Sequence, residues 1–413
     1  MKILLFHQYY LEDDDPGGSR WNEMTQYWFR AGHDLTVIAG MIHAHRTEKR
    51  SIYQGKLHAC INQQGVIVHR VHVTAGYNRS FLGRFGGYIS YFVFSIWAAL
   101  FKAKGRFDVV IGTSPSLWVG LAGVIIAKWK RCPFILEIRD LWPESAVDLG
   151  VLKNSYLISL AHWMEQLLYR RSKRVIAVSP GIENVLIEKK NIKPSKIILA
   201  PHAVDFKKLE ASLVGINREA LRKKLGLEGY FVVLYVGAHG KANGLHQLLR
   251  VGVEMVGTPV LFVLIGEGME KENLQAEVYR QSLTNFRFWD AISKQDIYKY
   301  ISMADLGLVM LTKCETFKTV YSNKTFDYMA CRIPVLMTID GCSRTLIEQA
   351  EAGTYADPDD PLQIAAVIRY YYNNPQIAQK HGENGYQLVR AKYNRAEIAE
   401  SLLGDIVTLV GEN

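Results

Sequence analysis

FVVLYVGAHGKANGL, residues 231–245, is the stretch whose reading decides the fold. Its first residues form an unbroken apolar run, which reads as a strand covered on both faces. Gly237, Gly240 and Gly244 then make a turn that leads into a helix. Strand, glycine turn and helix together are one step of a parallel βαβ layout. The step recurs downstream at VLFVLIG (260–266), NFRFW (285–289), DLGLVML (305–311) and PVLMT (334–338). Upstream it appears at KILLF (2–6), LTVIA (35–39), FDVVIG (107–112), PFILEI (133–138), RVIAVS (174–179) and KIILAP (196–201). Trp21, Met24, Trp28 and Ala31 mark one helix face between the first two strands, and Leu157, Leu160, Ala161, Met164, Leu167 and Leu168 mark a longer one. A charged, irregular stretch near 206–229 separates the two series. The fold class is therefore α/β, with two doubly wound domains over 1–205 and 206–390 and a C-terminal helix over 391–413 that has the first domain to pack back on. Ligands of such domains bind beyond the carboxyl ends of the strands.

Composition narrows the function. Of 413 residues, 49% are hydrophobic and 22% charged, which excludes a disordered or fibrous chain. A net charge of +9 calls for an anionic partner, and nucleic acid, an anionic membrane surface and a phosphorylated substrate all fit. The five cysteines form no CxxC pair, so neither a disulfide framework nor a zinc site is expected, and a reducing compartment is. MKILLFHQYY does not read as a secretory signal. YISYFVFSIWAALF (88–101) is too short to span a bilayer, which leaves a cytoplasmic chain in which this segment is a core helix or an interfacial one. Arg79, Arg84, Lys102, Lys104 and Arg106 flank it and suit an anionic membrane surface.

Four motifs carry chemistry. In DDDPGGSR (13–20), Gly17 and Gly18 permit close backbone approach to an anion, Ser19 caps a helix start, and Arg20 adds a donor fork. Asp13 and Asp15 spell DxD, but in a loop that reads better as solvated acid than as a metal site. In EIRDLWPES (137–145), Glu137, Arg139, Asp140 and Glu144 cluster at the end of a buried strand, where unpaired charge is costly. Asp140 is the functional candidate there, against local ion pairing. In VGAHGKANG (236–244), His239 and Lys241 are placed to reach a phosphate, against a plain loop. In VYSNKTFDYMACRIPV (320–335), a helix starting near Asn323 carries Lys324 in its first turn. A cation there opposes the helix dipole and makes sense beside a bound anion. Asp327, one turn on, is placed to accept two ribose hydroxyls, against a plain Lys324–Asp327 pair.

The order of the Gly17–Gly18 loop, DLWPES (140–145), VSPGI (178–182), APHAVD (200–205), YVGAHGKANGL (235–245), LIGEG (264–268), ADLGLVML (304–311) and SNKTFDYMACRIPV (322–335) resembles the retaining, glycogen-synthase-like GT-B glycosyltransferases of family GT4. It is most similar to the subgroup that acts on lipid-linked sugars in polysaccharide assembly. The resemblance implies two Rossmann-like domains facing across a cleft, the first for an acceptor and the second for a nucleotide sugar. Lys324 matches the residue that meets the donor diphosphate, with Gly17, Gly18, Arg20, Ser322 and Asn323 also on the donor side. Asp327 stands where the family has a glutamate for the ribose. A second family glutamate falls on Thr319, with Glu315 as a neighbouring substitute. The basic residues usual after the second-domain glycine fall on Ala238 and Asn243, which leaves His239 or Lys241 to supply charge. The family's His-Asp reads Arg139-Asp140, making Asp140 the acceptor-side catalytic residue beside Arg139 and Glu144. The expectation is a retaining, metal-independent and cofactor-free hexosyltransferase that uses a UDP-sugar donor and a polyprenyl-diphosphate-linked saccharide. It would work at the inner face of the plasma membrane, with no nucleic-acid partner. The alternatives are a GT-B nucleotide-sugar epimerase and a non-catalytic nucleotide-sugar or membrane-binding subunit.

Overall fold

The computed structural model describes residues 1–42, 48–76 and 81–412. Arg79, one of the expected membrane-flanking cations, lies outside the described residues. The chain divides into two compact units: Met1–Glu12, Ser19–Pro201 and Ala396–Asn413 form one, while Asp13–Gly18 and His202–Arg395 form the other.

The first unit is built on eight strands: β1 (Lys2–Phe6), β2 (Asp34–Gly40), β3 (His58–Gln63), β4 (Val66–Val71), β5 (Val109–Thr113), β6 (Phe134–Ile138), β7 (Arg174–Ala177) and β8 (Ile197–Leu199). They lie in the order β3-β4-β2-β1-β5-β6-β7-β8, parallel except where β3 runs antiparallel to β4. The sequence of connections reverses between β1 and β5, the position at which such a sheet opens a crevice. Helix α1 (Arg20–Arg30) buries Trp21, Met24 and Trp28 of the face that the sequence spacing marks, whereas Ala31 caps the helix end and is exposed. The Trp28 indole donates to the Ala399 carbonyl at 2.7 Å, and Ala399, Leu402 and Ile406 of the C-terminal helix (Arg395–Gly411) join the same core.

Four further helices of this unit matter for the site. Helix α2 (Phe81–Phe101) is longer than the apolar run that announces it. Tyr91, Ser95, Ala98 and Ala99 form its buried face, whereas Phe85, Val93 and Phe101 are exposed. Phe94 and Trp97 are half-buried, held edge-on to His72 and His58, while Phe101 is exposed. Helix α3 (Leu117–Lys130) packs beside α2. After the short helix α4 (Glu144–Asp148), α5 (Ser155–Arg171) packs on α3. Among the described residues, no helix is long and apolar enough to cross a membrane.

The second unit carries β9 (Phe231–Val236), β10 (Val260–Ile265), β11 (Phe286–Trp289), β12 (Leu306–Val309), β13 (Val335–Met337) and β14 (Gly353–Tyr355). All are parallel, in the order β11-β10-β9-β12-β13-β14, and the connections reverse between β9 and β12. The helix Asn323–Ala330 is fixed over that reversal by Tyr328. The Tyr328 hydroxyl accepts from the Val236 amide at 2.9 Å and lies 3.1 Å from the Leu234 carbonyl. Its ring fills the space that a Cβ on Gly307 would occupy, 2.5 Å away, so glycine at 307 lets the helix sit this close to β12.

Candidate active site

In the second unit, three elements converge beyond the carboxyl ends of β9 and β10. The turn after β9 brings Gly237, with φ at +152°, against Lys324; a Cβ there would lie 3.2 Å from the lysine Nζ. Gly266, after β10, leaves no room for a Cβ, which would meet the Gly237 carbonyl at 1.8 Å. The Lys324 ammonium lies 4.5 Å from the centre of the Tyr235 ring and 3.4 Å from its hydroxyl. No carboxylate among the described residues pairs with it, and burial lowers its pKa to about 8. Ser322 occupies the cap position of the Lys324 helix without bonding its amides through the side chain. A helix start with open amides, a backbone cradle and an unpaired, half-buried cation make a site for an anion such as a diphosphate.

His239 sits in the same cradle but has a different role from the one the sequence suggests. It is wholly buried, both ring nitrogens lack partners, and burial, reinforced by Lys271 and Lys324, lowers its pKa to about 4. A neutral imidazole supplies a hydrogen-bond donor and an acceptor, not the charge expected of it. Lys241 lies on an exposed turn. Asp327 turns to the opposite neighbour from Lys324: both carboxylate oxygens take the Lys294 ammonium at 2.7 Å, and the Tyr298 hydroxyl donates to one of them at 3.2 Å. The simple Lys324–Asp327 pair is therefore absent. A carboxylate offers about four lone-pair directions, so Asp327 retains capacity for hydroxyls. Thr319 bonds back to the Thr316 carbonyl, and Glu315 pairs with Lys318 at the surface.

In the first unit, Asp140 follows β6. One oxygen accepts from the Ser145 hydroxyl at 3.1 Å; the other, Oδ1, is buried and unpartnered. Burial raises its pKa to about 6, partly offset by the Ser145 and Leu141 hydrogen bonds. Asp140 lines a cavity of about 280 Å³ walled chiefly by apolar side chains. Arg139 is anchored by its amide to the Ser114 hydroxyl, and its Nε has no partner.

Two family models cover most of the chain: a glycosyl transferase 4-like domain over residues 17–203 and a glycosyl transferases group 1 domain over 217–388. The chain belongs to the GT-B glycosyltransferases. It is 22% identical over 315 residues to the putative colanic acid biosynthesis glycosyl transferase WcaI of Escherichia coli K12, covering 75% of this chain and 76% of that one. It is 23% identical over 251 residues to the alpha-D-kanosaminyltransferase of Streptomyces kanamyceticus, covering 59% and 63%. In fold it matches Anabaena HepE in complex with UDP (TM-score 0.71, 15% identity, 99% and 100% covered). It also matches the sucrose-phosphate synthase of Thermosynechococcus elongatus (TM-score 0.78, 16% identity, both chains fully covered).

Against this GT-B frame, several of the sequence-derived ligands have structural work instead. Arg20 is 2% exposed and gives its donors to Glu137 (2.8 Å), the Ala200 carbonyl (2.7 Å) and the Pro201 carbonyl (2.6 Å), so it is not available to a donor sugar. Glu137 also takes the Trp21 indole at 2.6 Å and is itself fully buried. Gly17 and Gly18 are exposed in a loop grouped with the second unit. Glu144, expected on the acceptor side, is tied to Lys190, which also bonds Glu165 at 2.7 Å. Glu144, His162 and Glu165 bring ligand-type atoms together, but the Lys190 ammonium bridges the two carboxylates there. Tyr235 and Tyr328, which position Lys324, and the aromatic wall around Asp140 escaped the sequence reading. The YVG and FDYM contexts hold them, yet a tyrosine on an apolar run reads as core.

Proposed function

We propose that the protein moves a sugar from a UDP-sugar to a polyprenyl-diphosphate-linked saccharide, with retention of configuration and without a metal, in cell-surface polysaccharide synthesis. The observation that carries this reading is Lys324: a half-buried ammonium without a counter-ion, beside a glycine cradle and an open helix start. Such a group is costly to bury alone and is matched by a diphosphate. Relatives point the same way, since HepE has been crystallised with UDP and with UDP-glucose and WcaI is named for colanic acid biosynthesis.

In this reaction the diphosphate leaves as negative charge builds on it. Lys324, already desolvated, stabilises that charge more strongly than an exposed lysine would. Its pKa near 8 rises as the anion binds, so the ammonium is fully charged when charge develops. Asp140, with a pKa near 6, is ionised at neutral pH and basic enough to take a proton from the acceptor hydroxyl. The Ser145 hydroxyl holds its other oxygen in place. Attack on the face from which the diphosphate leaves then retains the configuration.

The protein would work as a peripheral enzyme at the inner face of the plasma membrane, with the exposed side of α2 toward the lipid. Incubation with a panel of UDP-sugars, with and without a lipid extract, tests the whole reading through release of UDP. Release that depends on the extract is expected. Release without any acceptor would favour a hydrolysing epimerase, and neither release nor an isomerised UDP-sugar would favour a non-catalytic subunit.

A further inference from the structure

We infer that the cavity beside Asp140 binds the hydrocarbon chain of a phosphate-bearing lipid acceptor, so that the acceptor is held by its chain as well as by its sugar. This deepens the proposed transfer reaction and rests on it. The cavity is lined by residues of α2, α3, α5 and the 140–152 segment, all within the first unit. Trp118 forms part of its wall and is held edge-on by Phe85 and Phe92, at 6.2 and 5.4 Å between ring centres. Against this apolar wall stand two buried polar atoms without partners, the Asp140 Oδ1 and the Ser116 hydroxyl. A saccharide held alone would need a polar lining with many donors and acceptors; this cavity offers a polar inner corner and an otherwise greasy wall.

The apolar lining does not stop at the mouth. Phe85 (46% exposed), Leu157 (43%) and Leu160 (49%) line the cavity and also face solvent, as an opening for a chain requires and a closed core void does not. Beyond them, Tyr156 and Trp163 continue the exposed apolar strip along α5. Charge selects the head group. Helices α2 and α3 contain no Asp or Glu, and the one acid of α5, Glu165, is buried. Arg84 lies at the rim, and Lys128, Lys130, Arg170 and Arg171 lie further along the same helices. In the 140–152 wall Glu144 is held by Lys190 and Asp148 is exposed, so exposed cations still outnumber exposed carboxylates on the elements that line the opening, which fits a hydrocarbon chain that carries phosphate. A cavity of about 280 Å³ is at the small end of ligand sites, sized for a short length of chain near the head group.

Farnesyl phosphate, soluble as a monomer at low concentration, is a suitable probe, with dimethylallyl phosphate as the short-chain control. Binding is read by tryptophan fluorescence and by thermal shift, and UDP binding is measured on the same samples by calorimetry. Farnesyl phosphate should bind about tenfold or more tightly than dimethylallyl phosphate, since each buried methylene adds to affinity. The Leu157→Glu/Leu160→Glu protein, altered only at exposed positions, should lose that advantage while binding UDP as the parent does. Equal binding of the two phosphates, or undiminished farnesyl phosphate binding by the double variant, would overturn the inference. Chain-dependent binding in a protein that does not bind UDP would leave the cavity standing and remove the transfer reading instead.

Discussion

The surroundings of Asp140 and of Lys324 invite comparison. Each holds one ionisable group that burial pushes toward neutrality, the carboxyl up to about 6 and the ammonium down to about 8. Neither has an opposite charge bonded to it, whereas Arg20, Lys190 and Asp327 are all fully paired. The neighbours differ. Lys324 sits against the Tyr235 ring beside a backbone turn, which Gly237 and Gly266 bring within reach. Asp140 opens on aromatic and aliphatic side chains. A backbone cradle suits a small anion, while a side-chain cavity suits a bulkier apolar group.

The sharpest way to break the comparison is Asp140→Asn. The variant should lose about 10²–10⁴-fold in turnover if Asp140 is the general base, with UDP affinity intact in calorimetry. It should also gain stability, and the sign follows from linkage. The folded carboxyl titrates near 6 against an ordinary 3.8, so the folded state loses stability as pH rises from 4 to 6, and the cost is complete above 6. Replacing the carboxylate should recover at most about 3 kcal/mol at pH 8, seen in denaturant unfolding. A variant that turns over normally and is less stable would make Asp140 a structural residue.

Arg20→Ala gives the contrasting case. Removing a fully paired buried cation leaves Glu137 alone in the core and should cost about 3–5 kcal/mol in unfolding experiments. A variant that folds normally but fails to bind UDP would return Arg20 to the donor site.

For Lys324 the linkage runs the other way. Its folded pKa is depressed from 10.5 to about 8, so the folded state bears the cost below pH 8 and is relieved of it as pH rises toward 10.5. With Asp140 required ionised and Lys324 required charged, kcat/KM should rise through pH 6 and fall above pH 8. Loss of the alkaline limb in a Lys324→Arg variant would assign it. The smallest effect is expected from chelation: EDTA should leave transfer unchanged, and full loss rescued by Mn²⁺ would overturn the metal-independent reading.

Much of this was legible in the sequence, and the misses have physical reasons. The apolar parallel strands read directly, because a strand covered on both faces must be apolar. The β3–β4 hairpin did not, since β4 carries His69 and Arg70. Arg70 is buried because it donates to the Tyr10 carbonyl at 2.5 Å and the Leu11 carbonyl at 3.2 Å, partners that lie some sixty positions away. At the site, Lys324 was legible because its conflict with the helix dipole is local. Arg20 was not, because its donors go to carbonyls 180 and 181 residues along the chain, and residue type alone does not tell a ligand-binding fork from a structural one. His239 shows the same limit: its position was legible and its neutrality was not, since that depends on its burial and on the Lys271 and Lys324 ammonium groups, which lie 32 and 85 residues along the chain.

The central claim is that Lys324 meets the donor diphosphate, and titration calorimetry of UDP into the parent protein and Lys324→Ala tests it most directly. The account predicts that the variant folds at least as stably as the parent and binds UDP more weakly by about 1.5–3 kcal/mol. It also predicts that the parent takes up a fraction of a proton on binding at pH 8, visible as a dependence of the heat on the buffer's ionisation enthalpy. Unchanged UDP affinity in a folded Lys324→Ala protein would contradict it.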